Sequence, residues 1–255
     1  MSLFHIFILS LVEGITEFLP VSSTGHLILA GNLLQLPETE FLKSFIIAIQ
    51  AGTIFSVIVL YWKRLFVDIE SVKRIIAAFI PTAVIGFLLY KFIKKFLLGN
   101  SMVVIATLFI GGFILIFLEI NHREKKDSVD DVSRIPYPKA ILIGFFQAFA
   151  VIPGVSRSAA TILGGLSLGI QRKTIVEFSF LLAVPTLLAA TALDLMKSSY
   201  AFTSAEWGSL ALGCLISFAV AILSIKLFIG FVQRFNLVVF GVYRIFAAVL
   251  LWFFL

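Results

Sequence analysis

Long apolar runs separated by short basic stretches make up most of the chain. Six of them reach or approach the length of a membrane span: 44–62, 75–93, 101–119, 178–196, 207–225 and 236–255. A spanning helix needs about 20 residues, with a range of ~17–25. Lys91 sits near the end of one run, where its stem lets the ammonium reach the interface. Two regions break the pattern. Residues 3–36 hold a polar centre, Glu13 to His26, between two short apolar arms. Residues 140–170 hold Pro153-Gly154-Val155-Ser156-Arg157-Ser158 between arms of 13 and 12 residues. Each arm is too short to span, and Pro20 and Pro153-Gly154 interrupt helices at the two centres. Each region is therefore expected to be a re-entrant helical hairpin. Broken backbone is tolerated at membrane depth only against protein or a wet cavity, so the two tips are expected to line one.

The order hairpin, span, span, span occurs twice. A shift of 133 residues pairs Pro20 with Pro153, Ser23 with Ser156, Gly31 with Gly164, Phe45 with Phe178 and Thr53 with Thr186. Three full spans per copy is an odd number, so the second copy is inverted. The expected fold is an all-α polytopic membrane protein. It is one membrane domain over 1–255, with a first repeat at 1–120, a cytoplasmic linker at 121–139 and a second, inverted repeat at 140–255. Inverted repeats with broken helices place a site near the bilayer midplane, where the tips meet.

Composition sharpens this reading. The chain is 60% hydrophobic and 13% charged, against roughly 45–50% and about 25% in soluble domains. No soluble fold of this size hides so much apolar surface. The net charge of +6 is not gathered on one polar face, so a nucleic-acid partner is excluded. The single Cys214 excludes a disulfide framework and a cysteine metal cluster. The N-terminal stretch lacks a basic n-region and carries Glu13 and Glu17, so it is expected to remain in the mature protein.

Charge placement orients the chain. With the 120–139 loop in the cytoplasm, thirteen Lys and Arg fall in cytoplasmic segments and five (Lys43, Lys91, Lys94, Lys95, Lys197) in outer ones. Arg157 and Arg244 remain inside the membrane. Both termini then face outward, and the first hairpin opens to the outside.

The candidate chemistry sits at the two tips. Glu13 and Glu17 are four residues apart, on one face of the first arm. A charge at the bilayer centre costs at least ~2.5–3.5 kcal/mol, so something must offset the pair. A divalent cation, a guanidinium, protonation of one carboxyl or water would each do so. After Pro20 come Ser22-Ser23-Thr24-Gly25-His26. Their hydroxyls cap a helix start, and the free N–H groups there form an anion site. The His26 imidazole suits proton transfer near neutrality. The second tip offers Arg157 between Ser156 and Ser158, with Thr161 one turn further on. A planar guanidinium grips two phosphate oxygens at once, or it neutralises a glutamate of the first tip. Glu177, Asp194 and Glu119 lie at run ends and are expected at the interface. Arg244, inside the last run, is either a second phosphate contact or, the preferred reading, part of a structural pair.

The stretches Glu13-Gly-Ile-Thr-Glu17-Phe-Leu-Pro-Val-Ser-Ser23-Thr-Gly-His26 and Pro153-Gly-Val-Ser-Arg157-Ser-Ala-Ala-Thr161 closely resemble the two signature motifs of the undecaprenyl-diphosphatase family, the bacitracin-resistance type. The run Glu177-Phe-Ser-Phe-Leu-Leu-Ala-Val-Pro185 is also similar to that family, as is the layout of nearly the whole chain. The resemblance implies hydrolysis of undecaprenyl diphosphate to undecaprenyl phosphate and inorganic phosphate, recycling of the cell-wall lipid carrier and protection against bacitracin. It implies dependence on Mg²⁺ or Ca²⁺, a polyprenyl diphosphate partner held in lipid, and a bacterial inner membrane with the site open to the outer face. The expected catalytic set is Glu13, Glu17, Ser23, His26 and Arg157, with the metal on Glu13 and Glu17. Ser22, Thr24, Ser156, Arg157, Ser158 and Thr161 would contact phosphate. Ser23, water or His26 stands as the nucleophile, and a homodimer is admitted. The rival class is a lipid transporter, because inverted repeats and broken helices also typify those. Phosphate release by pure protein in detergent separates the two.

The charge split makes one direct forecast. A cysteine at Ser128, in a Cys214→Ala background, reacts in intact cells with membrane-permeant reagents only. Labelling by an impermeant maleimide would invert the topology.

Overall fold

The computed structural model describes residues 1–37, 39–97, 100–122, 128–197 and 202–254. Among these residues the secondary structure is helical, with no strand. The first half holds α1 (Leu3–Thr16), α2 (Ser23–Leu33), α3 (Glu40–Leu60), the short α4 (Trp62–Phe66), α5 (Ile69–Phe96) and α6 (Ser101–Asn121). The second holds α7 (Tyr137–Ala148), α8 (Arg157–Ser167), α9 (Arg172–Lys197), α10 (Ser204–Val232) and α11 (Val238–Phe254). Residues 123–127 of the expected linker, Leu255, and the side chains of Asp194, Lys94, Lys95 and Lys197 lie outside the described set.

Five helices, α3, α5, α6, α9 and α10, are long and apolar enough to cross a membrane. The expected sixth span is shorter: α11 has 17 residues. Its start is set back because the Asn236 side chain accepts from the Val238 N–H at 3.3 Å, which places the cap two residues inside the apolar run. Caps lengthen two other helices beyond their runs. Asp68 accepts from the Ser71 N–H at 3.1 Å and lets α5 begin in polar sequence. Thr203 and Glu206 form a reciprocal capping box ahead of α10.

Large apolar side chains cover the outside, with Phe87 70% exposed and Phe253 79% exposed. In water a surface of this kind marks an interface, and lipid satisfies it here. Inside, helices approach closely through small residues and hydroxyls, as membrane packing requires. A Cβ at Gly52 would collide with Ser217 and the Cys214 carbonyl, and one at Gly144 with the Ala78 backbone. Ser217 donates to the Ile49 carbonyl at 2.7 Å, Ser224 to that of Ile15 at 2.9 Å and Thr82 to that of Gly144 at 2.8 Å. These bonds seat α3 and α1 on α10, and α7 on α5. A core of Phe18, Phe178, Phe180, Ile162 and Leu182 fills the space beneath the helix breaks.

The end of the bundle beside residues 128–136 is held by ions. Arg64 pairs with Asp131 at 2.6 Å, Asp68 at 2.7 Å and Glu177 at 3.2 Å. Burial pushes the Asp131 carboxyl up, but hydrogen bonds from Arg64 and Ser133 outweigh it and hold the group at about 2. Arg172 pairs with Glu119 at 2.6 Å. Glu177 and Glu119, expected at the interface, are ion-paired, and Glu119 is buried. Their runs end where partner helices supply arginines, which hydropathy does not reveal.

Candidate active site

Both short-helix pairs break in the same way. α1 ends at Thr16 and α2 starts at Ser23; the 3-10 turn after α7 ends at Val151 and α8 starts at Arg157. Each second helix is preceded by a serine with positive φ, Ser22 at 71° and Ser156 at 75°. A side-chain-bearing residue in that region stores roughly 1–3 kcal/mol of strain, which persists where surroundings enforce it. Each serine also caps its helix. Ser22 Oγ accepts from the Gly25 N–H at 3.5 Å, and Ser156 Oγ from the Ala159 N–H at 3.2 Å. Two helix N-termini are thereby left with free N–H groups and positive dipole ends. The backbone pairs Ser22 with Ser156 and Ser23 with Arg157, one residue away from the expected pairing. Gly154 is the extra residue. Its φ of +88° and its close approach to Thr107 and Val104 exclude a side chain. Equivalent helix starts thus carry a hydroxyl on one side and a guanidinium on the other.

These two groups meet across one carboxylate. Arg157 Nη2 donates to Glu17 Oε1 at 3.0 Å, and Ser23 Oγ donates to Glu17 Oε2 at 2.5 Å. Arg157 Nη1 donates to the Ser179 carbonyl at 2.8 Å, and its guanidinium lies 5.6 Å over the Phe18 ring. Its Nε is buried without a partner. Glu17 and Arg157 side chains are 6% and 9% exposed, so solvent screens the pair little. Glu13, one turn before Glu17, is completely buried, and neither of its carboxylate oxygens has a hydrogen-bond partner. A carboxyl group so placed needs a proton or a cation. No cluster of three acidic, histidine or cysteine ligands exists among the described residues. The donor set suits Mg²⁺ or Ca²⁺ as a partial site, because such ions commonly take one or two carboxylates and complete their shell with substrate phosphate and water.

His26 faces elsewhere. Its Nδ1 lies 2.8 Å from the Ser22 carbonyl and its Nε2 2.6 Å from the Tyr243 hydroxyl. Among the other expected phosphate contacts, Ser158 is buried and donates to the Leu19 carbonyl at 2.7 Å, tying one break to the other. Thr161 donates to the Arg157 carbonyl at 2.9 Å and lies 3.2 Å from Gln147. Ser156 and Ser158 hydroxyls are 3.1 Å apart, and Thr24 is exposed. Arg244 is 1% exposed and partners backbone rather than an acid. Its Nη1 donates to the carbonyls of Pro20 (3.3 Å) and Val155 (3.0 Å), and its Nη2 to those of Thr107 and Gly154 (3.1 Å each).

A family model described as bacitracin resistance protein BacA matches residues 6–250. The chain belongs to that family. It is 54% identical to an undecaprenyl-diphosphatase of Aquifex aeolicus over 238 residues, 93% of each chain. It is 52% identical to one of Persephonella marina over 96% of each. It is 41% identical to one of Methanococcus aeolicus over 100% of this chain and 99% of the other. With five candidate spans, this BacA-family chain is a multi-pass membrane protein.

Several residues of the site went unnoticed in the sequence. Ser179 lies within the third family-like run and holds Arg157 through its carbonyl. Gln147 is a buried amide that links Thr82, Thr186 and Thr161. A glutamine in an apolar arm carried the signal, but its partners are tertiary. Tyr243 gave none beyond its place before Arg244.

If Glu17 and Arg157 act as one unit, their losses do not multiply. Arg157→Lys, which keeps charge but not the two-pronged grip, is expected to fold and lose most activity. Glu17→Gln is expected to lose a comparable amount, and the double variant little more. Phosphate release by the three purified, monodisperse proteins measures this; fully multiplicative losses would make the tips independent.

Proposed function

We propose that this chain hydrolyses undecaprenyl diphosphate to undecaprenyl phosphate and inorganic phosphate, which removes the lipid that bacitracin targets and recycles the cell-wall carrier. The observation that carries the reading is the cluster of Glu17, Arg157 and Ser23, closed between two helix N-termini inside an apolar bundle. Relatives named undecaprenyl-diphosphatase at 41–54% identity support it, as does the BacA match. A groove of about 810 Å³ runs along α1 and α10 beside Ile15, Leu19, Leu223, Leu227 and Phe231, and suits a polyprenyl tail.

Phosphoryl transfer depends mainly on positioning and charge stabilisation. Arg157 supplies the charge, with Nε unpartnered and Nη2 lent to Glu17 in the resting site. When a diphosphate arrives, the guanidinium exchanges the carboxylate for phosphate oxygens. The N–H groups at the starts of α2 and α8 add to it. Glu17 is then free to act as base for Ser23, whose proton already points at it. Ser23 Oγ attacks the terminal phosphorus, the bond to the bridging oxygen breaks, and undecaprenyl phosphate leaves. Water next cleaves the phosphoserine, and Glu17 returns the proton to Ser23. His26, one turn into the same helix, would exchange a proton with that water only after its ring leaves the Tyr243 hydroxyl, which holds Nε2 at 2.6 Å in the resting site. Glu13 and Glu17 would hold the Mg²⁺ or Ca²⁺, which when bound neutralises phosphate charge. Ser22, Thr24, Ser156, Ser158 and Thr161 shape the two helix starts that receive the phosphates.

The finer architecture belongs to the same proposal. Exchanging α1 with α7, α2 with α8, α3 with α9, α5 with α10 and α6 with α11 maps several of the packed helix pairs onto one another, though not all of them. α1 on α10 becomes α7 on α5, α3 on α10 becomes α9 on α5, and α2 on α11 becomes α8 on α6. This supports an inverted repeat of halves 1–120 and 140–255 about a 121–139 linker, each with a re-entrant hairpin and three spans. The charge split supports a cytoplasmic linker and a site open to the outer face of a bacterial inner membrane.

Purified protein in detergent is expected to release phosphate from undecaprenyl diphosphate, to stop in excess EDTA and to recover with Mg²⁺ or Ca²⁺. Ser23→Ala is expected to lower kcat by about 10²–10⁴-fold, the usual weight of a proton-coupled step. Full turnover in EDTA would remove the cation from Glu13 and Glu17, and near-normal Ser23→Ala would return the attack to water.

A further inference from the structure

The three groups of the site sit on two separate stretches of chain. Glu17 and Ser23 flank the first break, and Arg157 stands at the end of the second. The Arg157–Glu17 pair at 3.0 Å and the Ser158–Leu19 bond at 2.7 Å both join these stretches. The first of them is the bond that an arriving diphosphate would open. The spacing between Ser23 and Arg157 then needs a support that takes no part in the exchange.

Arg244 has the geometry for it. Its Nη1 donates to the Pro20 carbonyl at 3.3 Å and to the Val155 carbonyl at 3.0 Å, so a single nitrogen bridges the two breaks. Pro20 lies three residues from Glu17 and three from Ser23, and Val155 lies two before Arg157. Nη2 donates to Gly154 in the second break and to Thr107 on α6, at 3.1 Å each. α6 leaves room for this guanidinium: a Cβ at Gly111 would collide with its Nη2 and Cζ. The next turn of contact is equally close, since a Cβ at Gly112 would collide with the Gly241 carbonyl, and one at Gly241 with Ile116. The grip on the breaks therefore starts from a tightly packed helix pair, α6 with α11.

We infer that Arg244 is a positioning residue for the phosphate transfer: it keeps Ser23 and Arg157 at working distance while substrate holds Arg157 away from Glu17. This rests on the reading of the site as a diphosphate hydrolase. A guanidinium suits the task because its donors form a rigid planar fork, whereas an ammonium is a single point. Misplacement of reacting groups by about 1 Å costs roughly 10²-fold in rate. Binding suffers less, because Arg157 and the helix-start N–H groups are still there to receive phosphate.

Two variants loosen the grip by different routes. Arg244→Lys keeps the charge but cannot span both breaks. Gly111→Ala keeps every polar group, improves helix propensity and pushes the guanidinium off its carbonyls. Phosphate release from undecaprenyl diphosphate is measured on each purified, monodisperse protein well below its melting temperature. Each variant is expected to lose about 10–100-fold in kcat with KM within about threefold. The double variant is expected to lose little more than Arg244→Lys alone. In side-chain ¹⁵N spectra of the parent, Arg157 Nη1 and Nη2 are expected to resolve, because Ser179 and Glu17 hold them separately. In the variants the two signals are expected to converge. Normal kcat in folded Arg244→Lys, or a change in KM alone, would overturn the positioning role. Should that variant fail to insert, Gly111→Ala decides by the same measures. A parent that releases no phosphate would overturn the hydrolase reading instead. The Arg157 spectrum then decides the positioning: convergence in the variants sustains it, and unchanged signals overturn it.

Discussion

A helix broken inside lipid exposes backbone carbonyls that water cannot reach, and each one left alone costs about 1–3 kcal/mol. Two breaks side by side double the difficulty. Arg244 answers both with one side chain, because a guanidinium is a planar array of donors and carbonyls only accept. It binds Pro20 in the first break, Gly154 and Val155 in the second, and Thr107 on α6. Ser158 and Thr107 add bonds of the same kind, from Ser158 to Leu19 and from Thr107 to Pro153. The interior is thus wired across the breaks through backbone acceptors, and the strained serines at 22 and 156 hold their φ because these bonds leave the chain nowhere else to go.

What that wiring positions is an electrostatic imbalance. At the meeting point Arg157 pairs with Glu17, Glu13 stands one turn before Glu17, and Arg244 is buried among the backbone carbonyls of both breaks. Glu17 is satisfied by Arg157 and Ser23, while neither carboxyl oxygen of Glu13 has a hydrogen-bond partner. A carboxyl group in that condition takes up a proton or a cation, since an uncompensated buried charge costs several kcal/mol. The imbalance makes sense if the resting pair is a placeholder. In the proposed reaction an anionic diphosphate would displace Glu17 from Arg157, and Glu13 would serve as a ligand to the cation. Strain, an unpaired acid and a lent guanidinium are three aspects of one preorganised site.

Much of this was legible before any coordinates. Hydropathy located five of the six expected spans, because lipid demands a fixed length of apolar helix. Prolines located the breaks. The expense of isolated charges in lipid argued that Glu17 and Arg157, 140 residues apart, must find partners, and the fold brings them to 3.0 Å. What stayed hidden depends on side chains that hydropathy cannot pair. The inserted Gly154 moves the second break by one residue, so that Arg157 rather than Ser156 stands opposite Ser23. The ion pairs of Glu119 and Glu177 could not be read because their arginine partners, Arg172 and Arg64, lie on other elements. The bond from His26 to Tyr243 spans 217 residues and joins two polar groups that each look ordinary in its own run.

The central claim is that the two breaks form one phosphate site whose resting ion pair gives way to substrate. A structure with a non-hydrolysable methylene analogue of a polyprenyl diphosphate tests it most directly. The account predicts the terminal phosphonate between Ser23 Oγ and the Arg157 guanidinium, with Arg157 parted from Glu17 and the Arg244 bonds to both breaks unchanged. An analogue bound away from Arg157, with the bond between Glu17 and Arg157 intact, would contradict it.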